Sequence, residues 1–235
     1  MKTRLIVTVL MAVAGVLSCY VNAADSTDSA EKVVEEKWIV LFDGSNLDAW
    51  RGSSPQRPVG SKWSIVDGVL QIDPAAQGSG GDILTKQEFT DFDLVLDFKL
   101  TQGANSGIKY YFANGLGLEY QLLDDDKHPD AKGGQNGNRT LASLYDLIAV
   151  RPGKPVNPIG QWNTARIVAK DNNIQHWLNG TLVLEYQRGS DSYNQLVAVS
   201  KYKNDRNFGM APKGPILLQD HGDKVFFRNI RIRPL

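Results

Sequence analysis

The sequence predicts an all-β fold, a sandwich or jelly roll of many short strands. Three observations carry the prediction. From Trp38 onward, short runs rich in Val, Ile, Leu, Phe and Tyr alternate with turn residues. Two pairs, Asp67-Gly68 and Asn179-Gly180, sit between apolar arms and suit the positive φ angles of type I′ hairpin turns. No segment carries a convincing long amphipathic helical period.

The chain opens on a segment that reads as a signal peptide over residues 1–23. Lys2 and Arg4 form a positive start, and Leu5 to Leu17 is an apolar run too short to span a bilayer. Val21-Asn-Ala23 then offers small residues for cleavage before Ala24. Val16-Leu-Ser-Cys19 is the rival reading, an imperfect lipobox that would put a lipid anchor on Cys19. The soluble form stands ahead of it, because a lipobox usually has Leu where Val16 stands. Both readings make the protein an exported one, periplasmic or secreted, or else a membrane-anchored lipoprotein. Cys19 is the only cysteine, so a chain cleaved after Ala23 has no disulfide, no thiol nucleophile and no Cys-ligated zinc.

Residues 24–36 are small, polar and charged and read as a linker. The folded domain is expected over residues 37–235, in a mature chain of about 210 residues that suits one sizeable core. Removing Lys2 and Arg4 leaves 24 basic residues against 26 acidic, a net charge of −2. That balance argues against nucleic acid as a partner.

Strands are expected at 37–42, 81–85, 91–101, 105–113, 117–123, 162–170, 193–201, 214–221 and 224–233. Hairpins are expected over Trp63–Ile72 and Ile174–Tyr186, around the two Gly turns. Phe92, Leu94, Leu96, Phe98 and Leu100 alternate cleanly and should face inward. Residues 124–160, acidic, Gly/Asn-rich and then Pro-rich, form the least regular stretch. Long loops on a rigid β scaffold are where function tends to sit.

Residues 216–233 read as a further hairpin. Its first strand places Leu217, Gln219 and His221 on one face and Ile216, Leu218 and Asp220 on the other. A Gln and a His on one strand face point to a wet cleft, and an ordinary exposed pair beside a turn is the alternative. Glu119 and Gln121 share a face about 6.6 Å apart by simple rise. Asp124 points the opposite way unless a β-bulge intervenes. Glu119 stands out because it sits inside an apolar run. Asn105-Ser106-Gly107-Ile108 opens a strand, and Gly107 lets a backbone or ligand approach closely. A plain turn accounts for the same residues.

Tyr145 and Asp146 fall in a strand or buried loop, and His176 precedes a turn where structural histidines are common. His128 lies among Asp neighbours, with no spacing that matches a known metal motif. No Gly-x-Ser-x-Gly elbow supports a Ser-His-Asp triad. No cofactor is implied, and a divalent metal stays open.

Leu41-Phe-Asp-Gly44, Trp63 to Gly68, Gly81-Asp-Ile-Leu-Thr85, Asn105-Ser-Gly-Ile108, Glu119-Tyr-Gln121, Asn138-Arg-Thr to Leu144-Tyr-Asp146, His176-Trp-Leu-Asn-Gly180 and Gly214 to Gly222 follow one another in order. Over nearly all of 38–235 this resembles the DUF1080, or 3-keto-disaccharide hydrolase, domain family. The resemblance implies a concanavalin-like jelly-roll β-sandwich of two antiparallel sheets. It also implies an enzyme acting on 3-keto-glycosides, with a small carbohydrate as substrate. One departure is Lys109, where many relatives carry Arg.

A ketone at C3 acidifies the C2 proton, and the glycosidic oxygen on C1 is then a β leaving group. The chemistry needs a base at C2, donors for the enolate oxygen and an acid for the leaving oxygen. On this resemblance His221 is the expected base, Gln219 orients it or the substrate, and Glu119 is the rival base or the acid. Gln121, Lys201 and Tyr145 are expected donors to the enolate or the hydroxyls. Asn105, Ser106 and Asp124 are expected substrate contacts, with His176 lining the far side. A conventional glucanase-type hydrolase is one alternative, and it needs carboxylates about 5–5.5 Å apart if retaining. A non-catalytic lectin-like module is the other.

Overall fold

The structure, a computed structural model, describes residues 37–235. The expected signal peptide, the linker and Cys19 lie outside the described residues. Local pattern makes the strands. They are β1 (Ile39–Phe42), β2 (Trp50–Arg51), β3 (Trp63–Val66), β4 (Val69–Ile72), β5 (Ile83–Thr85), β6 (Phe92–Leu100) and β7 (Asn105–Ala113). They continue with β8 (Leu116–Leu123), β9 (Asn163–Lys170), β10 (Asn173–Leu178), β11 (Thr181–Gln187), β12 (Leu217–Leu218) and β13 (Val225–Pro234). Both expected turns take positive φ at each central residue, 51° and 73° at Asp67-Gly68 and 47° and 81° at Asn179-Gly180.

The strands form two antiparallel sheets. The larger has eight strands in the order β11-β10-β9-β6-β13-β4-β3, with β1 also paired to β13. The smaller has five, in the order β2-β5-β12-β7-β8. The sandwich core lies between them. Phe92, Leu94, Leu96, Phe98 and Leu100 of β6 are buried, in one cluster with Ile108 and Tyr110 of β7 and Leu118, Tyr120 and Leu122 of β8. Each fully buried Leu or Phe side chain contributes roughly 1.5–3 kcal/mol.

Two expected elements differ. Residues 193–201, expected as a strand, instead form most of helix α1 (Asp191–Val199). Tyr193 and Val197 are its buried residues, and a spacing of four suits one face of a strand or of a helix. The cap decides. Ser190 Oγ accepts from Tyr193 N at 3.2 Å, and Asp191 in the first turn complements the helix dipole.

The expected hairpin 216–233 is also absent. Leu217 and Leu218 pair between β5 and β7 in the small sheet, whereas β13 belongs to the large one. The connection crosses from sheet to sheet and is pinned by Asp220. Its carboxylate accepts from Gly81 N at 2.7 Å and Gly222 N at 2.9 Å, and its own N donates to Asp82 Oδ1 at 2.9 Å.

His176 is fully buried in the core. One ring nitrogen meets Tyr110 Oη at 2.7 Å and the other meets the Ala142 carbonyl at 2.8 Å. Burial pulls its pKa down to about 4, partly offset by the bond to Ala142. The folded protein therefore holds a neutral imidazole at pH 5, where the unfolded chain would protonate it. This stabilisation is present above pH 6.5 and is lost as pH falls towards 4, with a span of about 3 kcal/mol.

Candidate active site

β8, β7 and β12 lie side by side, so three strands present one polar face. On β7 the alternation puts Asn105, Gly107 and Lys109 on that face, while Ile108 and Tyr110 enter the core. Glu119 and Gln121 alternate the same way on β8, and Gly107 is paired with Gln121. Gln219 extends β12, its N donating to the Gly107 carbonyl at 3.0 Å. The loop after β8 returns alongside it, with Tyr145 N on the Glu119 carbonyl at 3.0 Å. Lys201 follows α1, its N held by Asp146 Oδ2 at 2.8 Å. Together with His221 these groups line a pocket of about 160 Å3.

Gly107 makes the pocket compact. A Cβ there would stand 2.4 Å from Gln219 Oε1 and 2.6 Å from Glu119 Oε1. The two side chains thus converge over a residue with no side chain of its own. Gln219 Oε1 is buried without a hydrogen-bond partner among the described residues. The Gln121 amide, oriented so that its nitrogen faces acceptors, donates to the Ser106 carbonyl at 3.0 Å and to Glu119 Oε1 at 3.1 Å.

Glu119 is 5% exposed, with Lys109 Nζ 3.6 Å from its Oε2. Two effects compete for its proton. Loss of water raises the pKa, while Lys109 and Lys201 lower it. Desolvation wins and holds the carboxyl at about 7. His221 stands exposed at the rim, yet loss of water is also the largest influence on it and lowers its pKa, against the pull of Asp82. Lys201 is lowered too, by desolvation first, with Glu119 opposing. Its ammonium lies 4.0 Å from the centre of the Tyr145 ring.

The raised Glu119 pKa has a stability consequence opposite in sign to that of His176. A carboxyl whose folded pKa exceeds its unfolded value stabilises the fold only while protonated. Relative to acid, the fold loses about 3 kcal/mol as pH rises from 4.5 through 7. The two windows overlap and nearly cancel. Glu119→Gln should therefore raise the urea midpoint at pH 7.5 and make the loss between pH 6.5 and 4 steeper than in the unaltered protein. An unchanged pH dependence of the midpoint would contradict the buried titration of Glu119.

Seven residues singled out in the sequence meet in this pocket: Asn105, Glu119, Gln121, Tyr145, Lys201, Gln219 and His221. Three others do not line it. Asp124 faces away, because the β7–β8 register breaks between Tyr110 and Ala113 rather than between Glu119 and Asp124. Its carboxylate accepts from Gly103 N at 2.7 Å, Asp126 N at 3.1 Å and Lys127 N at 3.2 Å, fixing the start of the loop. Ser106, one position out of phase with Asn105, gives its hydroxyl to the Gln219 carbonyl at 2.9 Å. His176 lies in the core, as described above. Lys109, by contrast, lines the pocket although it was read only as a departure from a pattern. Its even spacing from Asn105 and Gly107 was the available signal.

Among the described residues, no group of three or more His, Cys, Asp and Glu could hold a metal ion. His128 Nδ1 instead accepts from Asp130 N at 3.2 Å, capping the 3-10 turn Pro129–Lys132.

The sequence profile of the 3-keto-alpha-glucoside-1,2-lyase-like domain matches residues 37–233. The chain belongs to this family. It is 36% identical to a 3-keto-disaccharide hydrolase of Bacteroides thetaiotaomicron, over 90% of this chain and 83% of that protein. Two crystal structures of provisionally assigned glycosyl hydrolases from Parabacteroides distasonis have the same architecture. One matches with TM-score 0.74 at 30% identity, covering 84% of this chain and 94% of its own. The other matches with TM-score 0.62 at 31% identity, covering 85% and 100%. The concanavalin-like jelly roll expected from the resemblance is thus the observed fold. The polar face of the small sheet is the family domain's candidate active site in this chain.

Proposed function

We propose that this protein is a carbohydrate-active enzyme that cleaves the glycosidic bond of 3-keto-glycosides. The observation that carries the reading is the proton inventory of the pocket. It holds one carboxyl, Glu119, titrating at about 7, an imidazole kept below its usual range, and two lysines. Environments that push two titratable groups apart assign acid and base roles. Between the two pKa values Glu119 carries a proton and His221 does not.

In the proposed reaction the C2 proton passes to the His221 imidazole. The C–H electron pair forms the enolate, whose oxygen at C3 is stabilised by Lys109 and Lys201. Collapse of the enolate breaks the C1–O bond, and the leaving oxygen takes the Glu119 proton. Water then adds across the resulting double bond, hydroxyl to C1 and proton to C2, for net hydrolysis. The Gln219 and Gln121 amides and Tyr145 hold sugar hydroxyls.

A conventional glycosidase needs a second carboxyl, and Asp124 is committed to backbone amides. A lectin has no use for a buried, half-ionised carboxyl that costs stability at neutral pH. The test is to incubate the protein with a disaccharide and with its 3-keto derivative. Release of the aglycone from the keto form alone is expected. Cleavage of both would indicate a conventional glycosidase, and binding without cleavage a lectin.

Gly107→Ala probes the convergence of Glu119 and Gln219. Both obstructing atoms are ends of flexible side chains, so the fold should tolerate the new methyl. The thermal midpoint should move little, while cleavage of the keto substrate falls at least tenfold. An unaltered rate would mean that the two side chains need not converge over β7.

The reading includes export directed by residues 1–23. Terminal sequencing of the protein from its native host should find Ala24 first. A lipidated Cys19 at the terminus would establish the anchored form instead.

A further inference from the structure

The pocket that holds Glu119, at about 160 Å3, is smaller than the roughly 300–1,000 Å3 of typical small-molecule sites. It has room for the reacting part of a glycoside and little more. A second cavity of about 410 Å3 opens beside it, and Lys201 lines both. The second cavity lies between the loop carrying Asn136, Asn138 and Arg139 and the C-terminal turn of α1.

Its lining combines two chemistries. Leu147, Ile148, Leu196 and Val199 supply aliphatic surface, and Val199 is 67% exposed. Asn136, Asn138 and Arg139 supply amides and a guanidinium. Arg139 is fixed by Asp146 at 2.7 Å and Asp130 at 2.9 Å, and its guanidinium lies 5.4 Å from the centre of the Tyr145 ring. Asn138 is buried, its Oδ1 accepting from Gln135 N at 2.9 Å. A pyranose presents a C–H face and a rim of hydroxyls, which match aliphatic surface and preorganised polar groups. No aromatic ring lines this cavity.

We propose that this second cavity seats the sugar ring of the leaving group. The assignment rests on the proposed cleavage of 3-keto-glycosides and gives the leaving group a seat of its own. The glycosidic oxygen then lies near Lys201 and Glu119, where the two cavities adjoin, and the C1–O bond is broken between them.

Val199→Trp would fill the cavity from an exposed position, and Asn136→Ala would remove a polar contact. The measurement is kcat/KM on a 3-keto-disaccharide with a glucose leaving group, relative to the methyl 3-keto-glucoside. For each variant, with folding checked by circular dichroism, this ratio should fall at least tenfold for Val199→Trp and severalfold for Asn136→Ala. A ratio equal to that of the unaltered protein, whether both substrates suffer or neither does, overturns the assignment.

Should the unaltered protein cleave neither keto substrate, the proposed reaction fails, and the cavity is judged by glucose binding instead. Saturable shifts of the Leu196 and Val199 methyl signals on titration with glucose support the site, provided the Leu196 response is lost in Val199→Trp. Absence of such shifts overturns it.

Discussion

Glu119→Gln is expected to lower kcat/KM on a 3-keto-disaccharide by about 10²–10⁴-fold, the range ordinarily contributed by a positioned general acid or base. Glutamine keeps the shape and can still bond Gln121, but it has no proton to give the leaving oxygen. The loss should depend on the leaving group. A disaccharide expels a basic alkoxide that needs protonation, whereas a nitrophenolate leaves unaided. Steady-state kinetics on a 3-keto-glucoside with each leaving group checks this. Equal losses on both would remove Glu119 from the acid role. The same substitution should stabilise the fold at neutral pH, because it deletes a carboxyl that burial holds at about 7.

His221→Ala should cost a comparable factor, about 10²–10⁴, and should reshape the pH profile. For the unaltered enzyme kcat/KM should be bell-shaped. The acid limb lies below the usual histidine range, where the His221 imidazole gains a proton, and the alkaline limb lies near 7, where Glu119 loses one. Alanine removes the acid limb and leaves the alkaline one. A rate that instead climbs through pH 7 to a plateau would make Glu119 the base and displace His221. Near-normal turnover of His221→Ala would dismiss the imidazole from the proton transfer altogether.

The polar residues of β8 were legible because strand alternation is local. Glu119 and Gln121 had to share a face, and the acid stood out inside an apolar run. The same rule put Asp124 on the other face, and the structure keeps it there, since no bulge falls between Glu119 and Asp124. Asn105, Tyr145, Lys201, Gln219 and His221 came with the family resemblance or with local pattern, although the elements carrying three of them differ from the expected ones. Lys201 was expected in a strand and follows a helix, because the even spacing of Tyr193 and Val197 suits both. Gln219 and His221 were expected in a hairpin, yet their segment leaves the small sheet for the large one. His176 was drawn towards the cleft by its place in the pattern. It belongs to the core, where Tyr110 and the Ala142 carbonyl satisfy both ring nitrogens.

The amino-acid order alone determined the all-β class, the two type I′ turns, the inward set on β6 and the pairing of Glu119 with Gln121 on one face. These follow from φ preferences and from a side-chain period of two, which act within a few residues. Only the tertiary structure decided that Gly107 lies between Glu119 and Gln219, that Lys109 and Lys201 flank the acid, and that Asp124 is spent on backbone amides. Those facts depend on which strands become neighbours across long stretches of chain. The acidity of Glu119 depends on them too, because only the assembled pocket removes enough water to outweigh two lysines.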